Sequence, residues 1–381
     1  MMLSRIVIKS FFTVLLTLPF LLNGQVVVDT RCFPQVGDTL VQSIDNLPAY
    51  IRFMSEYDEN QKWDFRSLQS PYGRKNVILP ANFFAAHHFF PLANASVQLS
   101  EDQIGFFQIS ESAIKLVGIQ GNDPLGLGIQ QPIYYDPPLV ERRAPLRYKD
   151  GFQNESYIKY SFSYEDMRKD KFSDLPFRPD SLRITITIDR QDYVDAWGEL
   201  SIPGGSYDVL REKRQFSNYV QLEVKVGNQN WQDVTDLLPN SNLVGRSYEV
   251  QYLYHSNEAS DPVAVVYLNG AETKVNSVIY KTNQTESNIQ DINDMKQGLY
   301  AFPNPAIVNV RFEFTNLEPG NYKVSIFNIL GLEEWSETYF VNGSRSEKVN
   351  ISHLRKGTYL YSLVDENGKT ISTKRLVVIK P

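Results

Sequence analysis

The chain has 381 residues, of which 42% are hydrophobic and 13% aromatic, and its net charge is −6. That composition excludes a disordered chain, and the mild acidity argues against a nucleic-acid binder, which would carry a basic face. Cys32 is the only cysteine, so no intramolecular disulfide can staple the fold.

The chain opens with Arg5 and Lys9, then the apolar run from Phe11 to Leu22, then Asn23-Gly24-Gln25. This is the order of a secretory signal, and it assigns residues 1–24 to a signal peptide. The run is shorter than the ~20 apolar residues of a membrane span and contains Pro19. Cys32 follows Asp29, Thr30 and Arg31, where a lipidation site needs small apolar residues, so it reads as a free thiol.

Residues 25–281 read as two antiparallel β-rich domains, 25–145 and 146–281. The break is placed at Pro137-Pro138 to Pro145, where prolines lack ladder donors and favour an extended connector. In the first domain Trp63 and Phe65 alternate with polar residues, and Ile104-Phe106 and Ile114-Leu116 start further strands. The aromatic run from Phe83 to Pro91 reads as a buried core segment, with a ligand-stacking patch as the functional alternative. In the second domain Ile184, Ile186 and Ile188 alternate with Arg183, Thr185 and Thr187. Pro203-Gly204-Gly205-Ser206 is a hairpin turn, and Val220 to Val226 and Tyr248 to Tyr254 alternate strictly. An antiparallel meander of about seven strands follows, with an apolar face that a helix, a second sheet or a ligand must cover.

Motifs that carry chemistry are scarce. His87 and His88 are adjacent and would point to opposite faces of a strand, and His255 has no ligand partner nearby in sequence. No Gly-x-Ser-x-Gly elbow occurs. Asp58, Glu59, Asp189, Asp192 and Asp195 supply carboxylates, but nothing sets two of them across a cleft. Asp58-Glu59-Asn60 with Asp64 lacks the glycine of a calcium loop. The Gly121–Gly128 loop has neither lysine nor a following helix, so it is no phosphate cradle. No catalytic, cofactor-binding or metal residue is assigned, and no cofactor is expected.

Residues 282–297 are polar and read as a linker. Beyond them, Val308-Val310-Phe312-Phe314, Tyr322-Val324-Ile326 and Tyr359-Tyr361-Leu363 each share one strand face, with glycines at the turns. Alternation alone gives a compact β-sandwich over residues 298–381. The pieces Pro303-Asn304-Pro305, Ile326-Phe327-Asn328 ending at Gly331, Leu354-x-x-Gly357-Thr358-Tyr359, the Gly368 turn and Lys374-Arg375-Leu376-Val377-Val378 occur in order at the chain end. Together they resemble the C-terminal sorting domain (type A) of type IX secretion cargo in Bacteroidota. The resemblance implies an immunoglobulin-like sandwich read by the type IX translocon and sorting machinery. It also implies a cargo that is secreted, or attached to the outer surface of the outer membrane through surface lipopolysaccharide. The central piece WGELSIPGGSYDVLREKR, with SNEASDPVAVVYL, is similar to uncharacterised secreted Bacteroidota proteins.

The whole chain therefore reads as all-β, an exported protein that binds rather than catalyses, with a glycan or lipid as ligand. Two alternatives stay open: a secreted hydrolase with an unrecognised site, and a hydrophobic-ligand carrier built on the curved second sheet.

Overall fold

The computed structural model describes residues 26–46, 48, 51–53, 59–69, 72–100, 102–167, 172, 174–239, 241, 243–282, 297–302 and 304–379. The signal peptide assigned to 1–24, nearly all of the linker, Asp58 and Pro303 lie outside them. The chain is all-β, as its alternation predicts. Its only helical pieces among the described residues are short 3-10 turns.

The body is a 15-stranded sheet. One end of its hydrogen-bonded path is the strand Tyr72–Val77, paired to Thr39–Asp45. The other end is Leu79–Pro80, paired to Ala95–Ser100. Only Ile78 separates the two ends, so covalent continuity closes the sheet into a ring. Closure of this kind leaves few free strand edges.

Between these ends the path runs through Val275–Lys281, Ala264–Asn269, Gly245–His255, Gly205–Lys225, Ser181–Ile202, Gly151–Ser163, Ile133–Arg143, Ala113–Gly121 and Gln103–Ile109. The two longest strands form the expected hairpin, turning at Pro203-Gly204, where Gly204 has φ +97°. Pro137 and Pro138 do not form a connector. They lie inside the strand Ile133–Arg143, and the path runs unbroken across residue 145. The strand tolerates them because its register to Ala113–Gly121 skips from Tyr134 to Leu139. Its pairing to Gly151–Ser163 is confined to Asp136 and Tyr157. The missing proline donors therefore interrupt no regular ladder.

Alternation assigns the two faces of the sheet. Leu182, Ile184, Ile186, Ile188, Val220, Leu222 and Val224 point inward and pack with Ile158, Tyr160 and Phe162. The opposite face, with Val209, Tyr252, Tyr254 and Tyr280, is covered by Ile51, Trp63 and Phe65. Trp63 and Phe65 meet the Tyr254 ring edge-on at 5.2 and 5.4 Å. The cover of this apolar face is thus a chain segment from the first half of the body.

The C-terminal sheet is separate. Asn309–Asn328 pairs through its first half with Gly298–Phe302 and through its second half with Gly357–Asp365, which pairs in turn with Thr370–Val378. Glu333–Asn350 follows it along its length. Register breaks around Asn316, which has φ +52°, turn the long strand between the two halves, an arrangement consistent with the expected β-sandwich. Its core of Phe312, Phe314, Val324, Ile326, Tyr361 and Leu363 includes no residue of the body. Phe312→Ala should therefore cost ~3–5 kcal/mol, and only to this unit. Calorimetry should show two transitions, with the variant lowering one and leaving the other in place. A single transition shifted as a whole would contradict the separation.

Candidate functional site

The interior of the ring is not apolar throughout. Its inward positions change from isoleucine to charge along one strand: after Ile184, Ile186 and Ile188 come Arg190, wholly buried, and Asp192, 4% exposed. Arg190 reaches Asp192 Oδ2 at 3.0 Å, and Arg214 Nε donates to Asp192 Oδ1 at 3.0 Å. Asn154 donates to the same carboxylate at 2.8 Å and accepts from Arg143 at 2.6 Å. Glu212 lies 3.6 Å from Arg214 and 2.7 Å from His255 Nε2.

The protonation pattern follows from this packing. Burial would raise Glu212, but the Arg214 charge and the His255 hydrogen bond overcome it and hold the carboxyl low. Burial pushes His255 down, so the neutral ring donates from Nε2. Burial, with the Arg214 charge beside it, also lowers Arg190.

Against this charged layer lies a cavity of about 470 Å³, within the ~300–1,000 Å³ range of ligand sites. Its apolar lining includes Leu40, Ile78, Val97, Leu99, Phe107 and Ile109. Its charged lining is Arg74, Arg142, Arg214, Glu141 and Asp261. Asp261 accepts from Gln42 and sits 3.8 Å from Arg142. Burial pushes its carboxyl up to about 6, against the pull of Arg142 and Arg74. Glu141 lies 3.6 Å from Arg214 and 3.9 Å from Arg190. Arg74 is different: its Nε is buried with no hydrogen-bond partner. Cys32, Phe33 and Val28 pack with Val194 and Leu210 at one end of the ring. The Cys32 carbonyl accepts from Arg142 at 2.7 Å, and its thiol is free and buried.

A second contact region joins the two units. Arg311 and Glu313 alternate with the C-terminal core residues and so face outward, yet both are buried. Arg311 donates to Asp45 Oδ1 at 3.0 Å and to Asn46 Oδ1 at 3.1 Å. Asn46 Nδ2 donates to Glu313 Oε2 at 2.9 Å and to Ser346 Oγ at 2.9 Å. Ser346 also donates to Glu313. Burial raises Glu313 to about 7, the Ser346 and Asn46 hydrogen bonds notwithstanding, and the Asp45 charge adds to the rise.

The residues weighed from sequence are dispersed. Of the carboxylates, Asp192 is in the charged layer, Asp195 pairs with Arg211 at 2.8 Å, and Asp64 pairs with Arg66 at 2.6 Å on the surface. No group of three or more metal-ligating side chains occurs among the described residues. The aromatic run splits: Phe90 is buried and stacks on Phe106 at 4.5 Å, whereas Phe83 and Phe89 are exposed. His87 and His88 sit on a 3-10 turn, not a strand, because that run winds through Ala85–Phe89. The Gly121–Gly128 loop spends its N–H groups on its own Asp123, which accepts from Leu125, Leu127 and Ile129 at 3.0–3.2 Å. Packing through Leu222 fills part of the face that carries Val220 and Val224, and a second hollow of about 470 Å³, lined by Tyr135, Ile158, Ile186, Ile188, Val220 and Leu243, borders the same face. Sequence reasoning missed Arg74, Arg142, Arg214 and Asp261, since only ring closure brings them together. The break in the Ile184-Ile186-Ile188 alternation at Arg190 was the available signal.

Residues 300–380 match the family of secretion system C-terminal sorting domains, the assignment that the spaced motifs imply. The chain therefore ends in a type IX secretion sorting domain and is marked for export. No curated protein matches the chain. Two solved structures are similar at 10% identity: dimeric latent PorU from Porphyromonas gingivalis, with a TM-score of 0.20, and PorZ from the same organism, a surface component of its type IX secretion system, with a TM-score of 0.17. The alignments cover 91% and 73% of this chain but only 30% and 43% of those chains. At such scores the likeness carries no argument.

Two outcomes are expected. Asp192→Ala leaves two buried arginines facing one another and should cost ~3–5 kcal/mol in urea unfolding, whereas Asp64→Ala on the surface should leave the midpoint unchanged. Equal effects would contradict the buried layer. For Glu313, the unfolded carboxyl ionises near 4.5 and the docked one near 7. The folded state thus binds more protons between those values, and stability falls as pH rises through them. Glu313→Gln should stabilise the protein by about 1–3 kcal/mol at pH 8 and match the wild type at pH 4. Identical pH profiles would show that this carboxyl is not desolvated.

Proposed function

We propose that this protein is a type IX secretion cargo whose body binds a ligand without transforming it. Residues 1–24 direct it across the inner membrane, 298–381 form the sorting unit, and 282–297 link the two functional parts. The body, residues 25–281, is then released or held at the outer surface. The observation that carries the reading is a tail that matches the sorting family, folds around its own core, and meets the body through the small polar cluster of Asp45, Asn46, Arg311 and Glu313. The body supports binding over catalysis because the carboxylates of its charged layer and cavity lie beside an arginine or a histidine. Such pairing fixes the geometry of these side chains.

The sorting unit also presents a surface on which recognition can act. Its hairpin between Asn328 and Glu333 holds out Ile329, Leu330 and Leu332, which are 78%, 81% and 61% exposed. Consecutive exposed apolar side chains on a turn are unfavourable in water unless a partner covers them. Leu330→Asp removes that apolar contact at no cost to a core. At an interface anchor such a change is worth ~2 kcal/mol or more, and export should drop at least about tenfold. The variant should accumulate in the periplasm with unchanged melting. Normal export of a stably folded Leu330→Asp protein would sink the assignment of this surface.

A further inference from the structure

We propose that the cavity inside the ring binds a single-chain anionic amphiphile, with its acidic head on Arg74 and its aliphatic tail along Leu40, Val97, Leu99, Phe107 and Ile109. This deepens the binding reading above and rests on it.

The first argument is chemical asymmetry. A cavity lined both by aliphatic side chains and by a group of charged ones suits a ligand that is itself apolar at one end and charged at the other. Leu40, Leu99, Phe107, Ile109 and Ile279 are only partly buried although they face the ring interior, because the hollow leaves their tips uncovered. An apolar tail would remove that surface from water.

The second argument is charge. Arg74, Arg142 and Arg214 line the cavity against Glu141 and Asp261. Behind them Arg190 pairs with Asp192, Arg143 donates to Asn154 and Glu212 meets a neutral His255, two cations for two carboxylates. The lining therefore carries one cation in excess, and a ligand of opposite sign is favoured.

The third argument identifies the head-group receptor. Arg142 donates to the carbonyls of Ser260 and Cys32, and Arg214 to the Glu141 carbonyl and to Asp192. Each is thus already held by two hydrogen bonds. Arg74 Nε is buried and has no hydrogen-bond partner. A guanidinium offers a planar fork that matches a carboxylate, and an unmade buried hydrogen bond costs more than a made one returns. Gln42 holds Asp261 and lies opposite Arg74 in register, which keeps the nearest carboxylate engaged elsewhere.

The test is calorimetric titration of the purified full chain with sodium dodecanoate, alongside sodium acetate and dodecyltrimethylammonium. Dodecanoate should bind at one site, while acetate, without a tail, and the cationic surfactant, with the wrong head, should not. Arg74→Gln should weaken dodecanoate at least about tenfold. Val97→Trp, which fills the tail seat, should abolish binding, and Leu99→Gln serves if that variant does not fold. Absence of dodecanoate binding, equal binding of the cationic surfactant, or an unchanged Arg74→Gln affinity would each overturn the proposal. Export of Arg74→Gln, followed in parallel, separates the two readings: intact export with no dodecanoate binding leaves the secretion assignment standing.

Discussion

Asp192, held between two arginines inside a closed sheet, is the constraint on which the body depends. A carboxylate that is 4% exposed is accommodated there because Arg190, Arg214 and Asn154 replace its water. Those arginines in turn need Asp192, Glu212 and Glu141, so the layer is mutually required. It stands between the isoleucine-rich packing around Ile184 and the cluster around Val194 and Leu210. Long charged side chains tethered to carbonyls on several strands do not interdigitate like leucines. The space they leave beside the Ala95–Ile109 hairpin is the cavity.

The strand Thr39–Asp45 connects this interior to the tail. Its Leu40 and Gln42 face the cavity, and Gln42 holds Asp261. Two residues further, Ile44 packs with Ile279 and Tyr300, and Asp45 and Asn46 take up Arg311 and Glu313. One strand thus carries the ring closure, a wall of the binding site and the dock for the sorting unit. The dock is polar and small, as suits a contact between units that each have a separate core.

Much of the fold was legible because alternation reports directly on burial. The period-two runs lie on strands with the expected inward faces over Ile184–Ile188, Val220–Val224 and Val310–Phe314, whereas Val226 and Val308, expected in the same runs, fall just outside the strands and are exposed. The tail was legible in more detail, since its motifs sit at turns and strand ends that geometry fixes. Ring closure was not legible: it depends on Tyr72–Val77 and Leu79–Pro80 pairing with strands on opposite arms, and local pattern carries no such distance information. The Pro137-Pro138 stretch misled because proline marks the absence of a ladder bond, and a strand with an interrupted register shares that absence. The cavity residues were hidden for the same reason as the ring, with Arg74, Arg142, Arg214 and Asp261 far apart in the chain.

A crystal structure of the protein purified from its own secretions, with no lipid or detergent added, tests the central claim most directly. An occupied interior predicts an elongated feature along Val97 and Phe107 that ends within hydrogen-bonding distance of the Arg74 guanidinium. A cavity holding only water, with Arg74 turned onto Asp261 as an internal ion pair, would contradict it.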